Sequence, residues 1–400
     1  MRSMRVAVAV AAVAAGLAGC GGVTDSSSSS SSSSGSSGGS TPGVTKDTIT
    51  FGMVAPLSGP VAALGLDSRA AVESLMAKVN AEGGINGRKL KLVVQDDKYD
   101  PKQSVAGAKY FAGQNPVFAI WGNVGTATTL AAQPTYKAAG LPLLFPEALT
   151  NQLAGDATTF LLTPGFGDTY KLLSDTMAQD PQFKGKKIGF LYQNDGTSIE
   201  SIDGFKKGAT KVGADVKFER TATSYGAQVQ RLKDAGAQVV VYIGNPSQLA
   251  VALKQANAIG YKPQWLGSLG ITSPDTPKLA GDLAEGVMTV NPLASPQSSV
   301  PGAVDFRQTM SKYRPKGTQS GFALFGWSGG EIIVDALKRA GQNLTRDSFL
   351  KALEQTQNLD TGGLLPPVSI SSGDHLASDC LLLLVNKGGK FQRNGDFVCP

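Results

Sequence analysis

A single histidine, His375, in a chain of 400 residues excludes a metal centre built on clustered histidines, and no two cysteines have the short spacing of a zinc site. Charge is sparse as well, with Asp, Glu, Lys and Arg making up 17 % of the chain and a formal net charge of +6. The lysines are scattered, and no basic stripe with interleaved aromatics is present to track a phosphate backbone, so the reading is of no nucleic-acid partner. Neither a Gly-Lys-Ser/Thr P-loop nor a G-x-G-x-x-G fingerprint occurs, which excludes those glycine-rich phosphate cradles. Beyond the N-terminal region no apolar run approaches the length of a membrane-spanning helix; Leu381-Leu382-Leu383-Leu384-Val385 is far too short and reads as a buried strand.

What is present starts at the N-terminus. Met1–Arg5 is a short basic opening, Val6–Ala15 an apolar run, and Leu17-Ala18-Gly19-Cys20 a small-residue ending. That order is a secretory signal peptide over residues 1–20. Its ending resembles the lipobox of bacterial lipoproteins, which implies that Cys20 is acylated and becomes the mature N-terminus. The expected location is extracytoplasmic, lipid-anchored to the outer face of the cell membrane. Loss of Arg2 and Arg5 with the signal lowers the formal charge from +6 to 6 − 2 = +4. Residues 21–43 are almost wholly Ser and Gly, with an unbroken serine run from Ser26 to Ser34. Such a segment buries nothing and acts as a flexible tether.

With Cys20 lipidated, Cys380 and Cys399 remain as an even pair in an oxidising compartment. A strand at Cys380–Val385, a turn at Lys387-Gly388-Gly389-Lys390 and a return from Phe391 make a terminal hairpin that a disulfide would clamp. Closing that loop stabilises by about 3 kcal/mol in the chain-entropy model.

The remaining residues, enough for two domains of ordinary size, alternate strand and helix. Strands are expected at Thr48–Val54, Lys89–Gln95, Val117–Trp121 and Leu141–Phe145, with helices at Ser68–Ala81, Pro101–Gln114 and Thr126–Ala139 between them. After Pro164-Gly165 the pattern restarts. Helices are expected at Asp168–Gln179, Ser198–Val212, Gln228–Ala235 and Pro246–Ile259, and strands at Lys187–Tyr192, Asp215–Arg220, Val239–Ile243 and Gln264–Leu266. This βαβ repetition implies parallel sheets covered on both faces, with ligands bound beyond the C-terminal strand ends. There the segment Gly122-Asn123-Val124-Gly125-Thr126-Ala127-Thr128-Thr129 stands out. Its glycines allow close backbone approach, and its hydroxyls and helix-start N–H groups suit a carboxylate or phosphate. The plain alternative is an N-cap and a tight turn.

Four segments then carry a resemblance. They are Phe51-Gly52-Met53-Val54-Ala55-Pro56-Leu57-Ser58-Gly59-Pro60, Asn80-Ala81-Glu82-Gly83-Gly84-Ile85-Asn86-Gly87, Asp96-Asp97-Lys98-Tyr99-Asp100-Pro101 and Gln255-Ala256-Asn257-Ala258-Ile259-Gly260. In this order and spacing the chain, from Thr48 to its end, resembles the substrate-binding lipoproteins of ABC importers in the branched-chain amino acid (Leu/Ile/Val) class. The resemblance implies an α/β type I periplasmic-binding fold, two Rossmann-like lobes with three crossover strands. Lobe 1 would take residues 44–163 and 291–373, and lobe 2 residues 164–290 and 374–400. The crossovers fall near Thr163-Pro164-Gly165, Val290-Asn291-Pro292 and Leu376-Ala377-Ser378. A monomer is implied that captures a small-molecule solute without a cofactor or metal. It closes on the solute by hinge motion and delivers it to an ABC permease and its ATPase. The same fold also serves as a sensor presenting solute to a signalling receptor, and the sequence does not separate the two.

The family's ligand positions transfer residue by residue. The loop that holds a ligand carboxylate matches Val124, Gly125 and Thr126, the second loop of that lobe matches Glu147, Ala148 and Leu149, and Leu64 falls at the cleft. Phe322 or Trp327 faces the cleft from the later helix. In lobe 2 the family's aromatic positions fall at Thr197 and Asn245, and the acid that pairs with an α-ammonium falls at Leu269. A desolvated ammonium needs a charged or strongly polar partner, so Leu269 leaves the ligand open among an amino acid, an amide, a short peptide and a carboxylate. Glu147, from the opposite lobe, could supply the missing carboxylate. Some family members bridge two lobe-1 cysteines, and the matching positions here, Tyr99 and Gly125, are both changed.

A rival reading rests on Gly326-Trp327-Ser328-Gly329-Gly330, which fits G-x-S-x-G, with Asp360, Asp374 and His375 downstream in the order of a hydrolase triad. Too little chain separates Ser328 from His375 for the strands and helices of that fold, and no second histidine exists for its oxyanion loop. The reading is therefore of a tightly packed helix start and of no enzyme. Asp96-Asp97 could do acid–base work but reads better as a structural cap.

Overall fold

In the computed structural model, residues 41–59, 61–219 and 221–400 are described. The signal peptide 1–20, the acylation site Cys20 and linker residues 21–40 lie outside the described residues. The linker's last three residues, expected to be free, are seated on the folded body. The Thr41 hydroxyl donates to the Leu344 carbonyl at 3.1 Å, and the Thr50 N–H donates to Gly43 O at 2.7 Å.

Strands β1 (Thr48–Ala55), β2 (Lys89–Asp96), β3 (Ile120–Trp121), β4 (Leu143–Leu144) and β5 (Thr159–Phe160) form a parallel sheet in the order β2-β1-β3-β4-β5. Helices α1 (Ala62–Ala81), α2 (Pro101–Lys109) and α3 (Thr126–Ala138) connect them. The second sheet contains β6 (Ile188–Gln193), β7 (Val212–Phe218), β8 (Val239–Ile243), β9 (Gln264–Gly267), β10 (Met288–Asn291), β11 (Leu382–Lys387) and β12 (Lys390–Arg393). Its order is β12-β11-β10-β9-β8-β6-β7, parallel from β10 to β7 and antiparallel across β10, β11 and β12. Helices α4 (Phe166–Gln179), α5 (Gly196–Lys207), α6 (Gly226–Asp234), α7 (Pro246–Ala258) and α8 (Asp275–Ala280) accompany that sheet. Helices α9 (Pro301–Tyr313), α10 (Gly321–Ala340) and α11 (Arg346–Glu354) return to the first, where α9 and α10 pack on α1.

Each sheet has an apolar core on both faces. One face of the first buries Phe51, Trp121 and Phe160 against α1 and α10, and the other buries Val54, Phe111 and Tyr136. All five residues of β8, Val239-Val240-Val241-Tyr242-Ile243, are buried, as a central strand covered on both faces requires. Among the described residues no helix is long and apolar enough to cross a membrane.

The structure departs from the expected boundaries where tertiary contacts outbid helix periodicity. The helix expected at Ser198–Val212 stops at Lys207, and β7 begins at Val212. Helix α4 offers the chain better partners there: Ala209 N–H donates to Asp175 Oδ1 at 2.8 Å and Thr210 N–H to Ser174 Oγ at 3.0 Å. The Gly326–Gly330 segment lies inside α10 rather than at its start. Its glycines let α10 press against the first sheet; a Cβ on Gly330 would sit 2.4 Å from the Trp121 ring and 2.5 Å from Leu75. Cys380 and Cys399 are joined by a disulfide, and Leu381 pairs with Val398 between them.

Candidate functional site

A cavity of about 660 Å³ lies at the C-terminal ends of β1, β3 and β4 on one side and of β6, β8 and β9 on the other. That volume suits a small organic solute. All the site residues expected from the sequence border it except Ala148: Leu64, Val124, Gly125, Thr126, Glu147, Leu149, Thr197, Asn245, Leu269 and Phe322. Ala148 packs instead with Leu153 and Leu161. Neighbouring side chains of an extended segment point to opposite sides, so Glu147 and Leu149 face the cavity and Ala148 faces the core.

The helix N-termini around the cavity differ in a way the sequence did not display. In α5, Asp195 closes its own end: Oδ1 accepts from Ser198 N–H at 2.8 Å and Oδ2 from Gln193 Nε2 at 2.6 Å. Asn245 caps α7, its Oδ1 accepting from Gln248 N–H at 3.0 Å and from the Ser247 hydroxyl at 2.7 Å. That employment makes Asn245 a structural cap as well as a wall residue. Ser320 caps α10 and donates to Asp67 Oδ2 at 2.7 Å. Helices α1, α3 and α4 have no side-chain cap. In α1 the Ala62 and Leu64 N–H groups donate to Gly59 O and Val61 O, and in α4 the Phe166 N–H donates to Leu149 O, whereas α3 starts at Gly125 and Thr126, beside the cavity. Its first-turn N–H groups and positive dipole end are therefore available to an anion.

Gly125 is required where it stands. Its φ is +106°, and a Cβ there would lie 2.5 Å from the Tyr99 ring and 2.7 Å from Thr128 Oγ1. The Tyr99 ring thus lies over Gly125. The loop is held by Gly125 N–H to Glu147 O at 3.1 Å and Glu147 N–H to Asn123 O at 2.7 Å.

Glu147 is the unusual member. Its side chain is 7 % exposed, and neither carboxylate oxygen has a well-formed hydrogen bond. Ser68 Oγ, also unsatisfied, shares its corner: a Cβ on Gly326 would be 3.0 Å from Ser68 Oγ and 3.4 Å from Glu147 Oε1. Burial pushes the Glu147 carboxyl up to about 8; the Ser68 hydroxyl opposes the rise and the Asp67 carboxylate adds to it. Burial likewise raises Asp67, against hydrogen bonds from Ser320 and Thr318. Among the described residues no Lys, Arg or His lines the cavity.

The apolar walls come from both sheets. Leu64, Leu149, Phe322 and Phe325 face Phe166, Ile243 and Leu269. Leu269, just after β9, reaches α10, its Cδ1 lying 3.3 Å from a Cβ built on Gly321. Phe166, Phe325 and Asp195 were not singled out from the sequence. An aromatic directly after the Pro164-Gly165 break and an Asp-Gly-Thr-Ser helix start were the available signals. Trp327 is fully buried against Phe306 and is absent from the cavity wall, so Phe322 is the one of the two that faces it.

The catalytic reading fails on geometry. Ser328 is buried in mid-helix, its hydroxyl donating to the Leu324 carbonyl at 2.8 Å, not exposed on a strand-to-helix elbow. His375 stacks on Phe160 with ring centres 4.0 Å apart and faces Glu354 Oε1 and Thr159 O, each at 3.2 Å. Asp96 accepts from Leu57 N–H, the Ser58 hydroxyl and Lys98 N–H, a structural staple between β2 and the β1–α1 loop. A larger groove of about 880 Å³ lies between α4 and the C-terminal hairpin. Among the described residues it holds no orphaned buried side-chain atom, and its Lys171 is already paired with Asp175.

The family model for periplasmic binding protein matches residues 48–390. The leucine-, isoleucine-, valine-, threonine- and alanine-binding protein of Pseudomonas aeruginosa is 25 % identical over 315 residues, spanning 75 % of this chain and 80 % of that protein. A branched chain amino acid ABC transporter structure from Thermus thermophilus with bound valine superposes with a TM-score of 0.78 at 20 % identity, covering 89 % of this chain and 98 % of that one. A fatty acid ABC transporter substrate-binding protein from Thermomonospora curvata superposes with a TM-score of 0.75 at 25 % identity, covering 90 % and 92 %.

Proposed function

The chain belongs to the periplasmic binding protein family, a family of solute-capturing proteins, and from that premise we propose that it captures a small carboxylate with an apolar body and hands it to an ABC importer. The lobes are residues 44–163 with 291–373 and residues 164–290 with 374–400. The solute enters between them, docks its carboxylate on the first lobe and is enclosed when the second closes. Acylation at Cys20 holds the protein at the outer face of the membrane, and the permease and its ATPase receive the closed form. The solute leaves chemically unchanged.

The observation that carries this reading is the uncapped N-terminus of α3 opening on a cavity walled by Leu, Ile and Phe from both sheets. An anion is favoured there by free N–H groups and the helix dipole, and the apolar walls favour an aliphatic or aromatic body. The named ligands of the relatives, branched-chain amino acids and fatty acids, share that carboxylate-plus-hydrocarbon chemistry.

Calorimetry on a full-length Cys20→Ser chain, which cannot be acylated, tests the assignment. Carboxylates with apolar bodies should bind, and Thr126→Val should weaken them by about 1–3 kcal/mol, the effect of leaving a polar group of the ligand unpaired. Binding that ignores Thr126→Val would remove the Thr126 hydroxyl from the site.

A further inference from the structure

Beside the cleft, a glycine of α10 meets a turn that belongs to the second sheet. That turn, Leu269–Thr272, is a single helical turn following β9. Ile271 anchors it in the second sheet's core, and the Thr272 hydroxyl staples it by donating to the Leu269 carbonyl at 2.7 Å. The first turn of α10 stands opposite. Ser320 fixes it, its hydroxyl accepting from Ala323 N–H and donating to Asp67 on α1. The two meet at Gly321. A Cβ there would lie 3.0 Å from Thr272 Oγ1 and 3.3 Å from Leu269 Cδ1. Among the described residues, and outside its own stretch of helix, it would meet nothing else within 4 Å. The space of a side chain at 321 is therefore taken only by the other sheet's turn. Leu269 is 7 % exposed, yet among the described residues it joins neither sheet's apolar core. Helix α10 supplies part of its cover, so drawing the two sides apart would return apolar surface to water. Leu269 borders the cavity, whereas Gly321 and Thr272 do not.

Resting on the two-lobe reading above, we infer that Gly321 and the Leu269–Thr272 turn form a latch that holds the lobes together. The missing side chain at 321 leaves a socket on the first lobe, and the second lobe's turn seats in it. Opening lifts Leu269 and Thr272 off α10. A side chain at 321 props the lobes apart while leaving each lobe's own packing intact, because nothing of the first lobe occupies that space. Gly321 is thus a positioning residue: it touches no solute and sets how long a captured one is retained. Apparent affinity falls with the fraction of protein able to close, and the loss shows as faster release.

The full-length Cys20→Ser chain carries the tests. With Thr272→Cys and Gly321→Cys together, the new Sγ at 272 takes the place of an Oγ1 that lies 3.0 Å from the opposite Cβ, a spacing a disulfide spans. Mild oxidation should link the pair, as peptide mapping reads out, with Cys380–Cys399 intact. By small-angle scattering the linked chain should have a smaller radius of gyration than the Gly321→Val chain. Leucine and 4-methylpentanoate serve as probe solutes in stopped-flow kinetics. Gly321→Val should release a bound probe about 10- to 100-fold faster, the effect of overpacking a close contact. Association and the urea midpoint of the solute-free chain should stay unchanged. Gly321→Ala should shift release the same way by less, which covers the case of a valine variant that folds poorly. A pair that does not link, equal radii for the linked and Gly321→Val chains, or release indifferent to Gly321→Val overturns the latch. So does a loss of affinity that tracks a fall in the urea midpoint. Linking and scattering need no solute: if both go as expected while carboxylates do not bind, the latch stands and the carboxylate reading falls. If Thr126→Val weakens a probe and Gly321→Val leaves its release alone, the carboxylate site stands and the latch falls.

Discussion

Replacing Glu147 by Gln should stabilise the empty protein more and more as pH rises. Gln matches the shape of the neutral acid and cannot ionise. In the unfolded chain Glu147 releases its proton near 4.5, and in the fold burial delays release to about 8. Below pH 4.5 both states hold the proton and the substitution changes little. Between 4.5 and 8 the unfolded state alone has released it, so the folded state binds more protons and stability falls with pH. Above about 8 both states are ionised and the difference is constant. The interval from 4.5 to about 8, at about 1.4 kcal/mol per pH unit, amounts to about 5 kcal/mol. This is a ceiling, because water entering the cleft would solvate the ion. Glu331, also pushed up to about 8 by burial, is common to both proteins and cancels in the comparison. Urea unfolding of the two ligand-free proteins from pH 4 to 9 measures the effect. A stability difference that stays flat over that range would refute the claim that burial holds Glu147 protonated.

Two other perturbations probe the frame around the site. Gly125→Ala forces a Cβ into the Tyr99 ring at a φ of +106°; it should lower stability by about 1–3 kcal/mol in thermal or urea unfolding and weaken every carboxylate solute, and an unchanged midpoint would contradict the contact. Converting both Cys380 and Cys399 to Ser opens a loop closed across a separation of 19 residues; it should destabilise by about 3 kcal/mol while leaving solute affinity intact, since neither residue borders the cleft.

Much of this architecture is legible in the chain alone. Val239–Ile243 is apolar throughout because both faces of β8 are covered, and that pattern survives in one dimension. The loop from Val124 to Thr126 announced itself through a glycine next to hydroxyls at a strand end. Boundaries were less legible where a distant helix supplied the deciding hydrogen bonds, as Ser174 and Asp175 do for the chain after Gly208. G-x-S-x-G misleads as a pattern because the same small residues that make a nucleophile elbow also let α10 lie against Trp121 and Leu75.

The sequence by itself determined the parallel α/β alternation and the place of the cleft at the strand ends, because those follow from local periodicity and from the order of the elements; the wall residues named in advance were what the family resemblance implied. Tertiary structure alone decided which helix ends are free and which are closed. Asp195, Asn245 and Ser320 are spent as caps, whereas α1, α3 and α4 carry no side-chain cap. It alone also decided that Glu147 is stranded. An acid's charge state depends on its three-dimensional neighbours, and here Asp67, Ser68 and Gly326 come from helices remote in the chain.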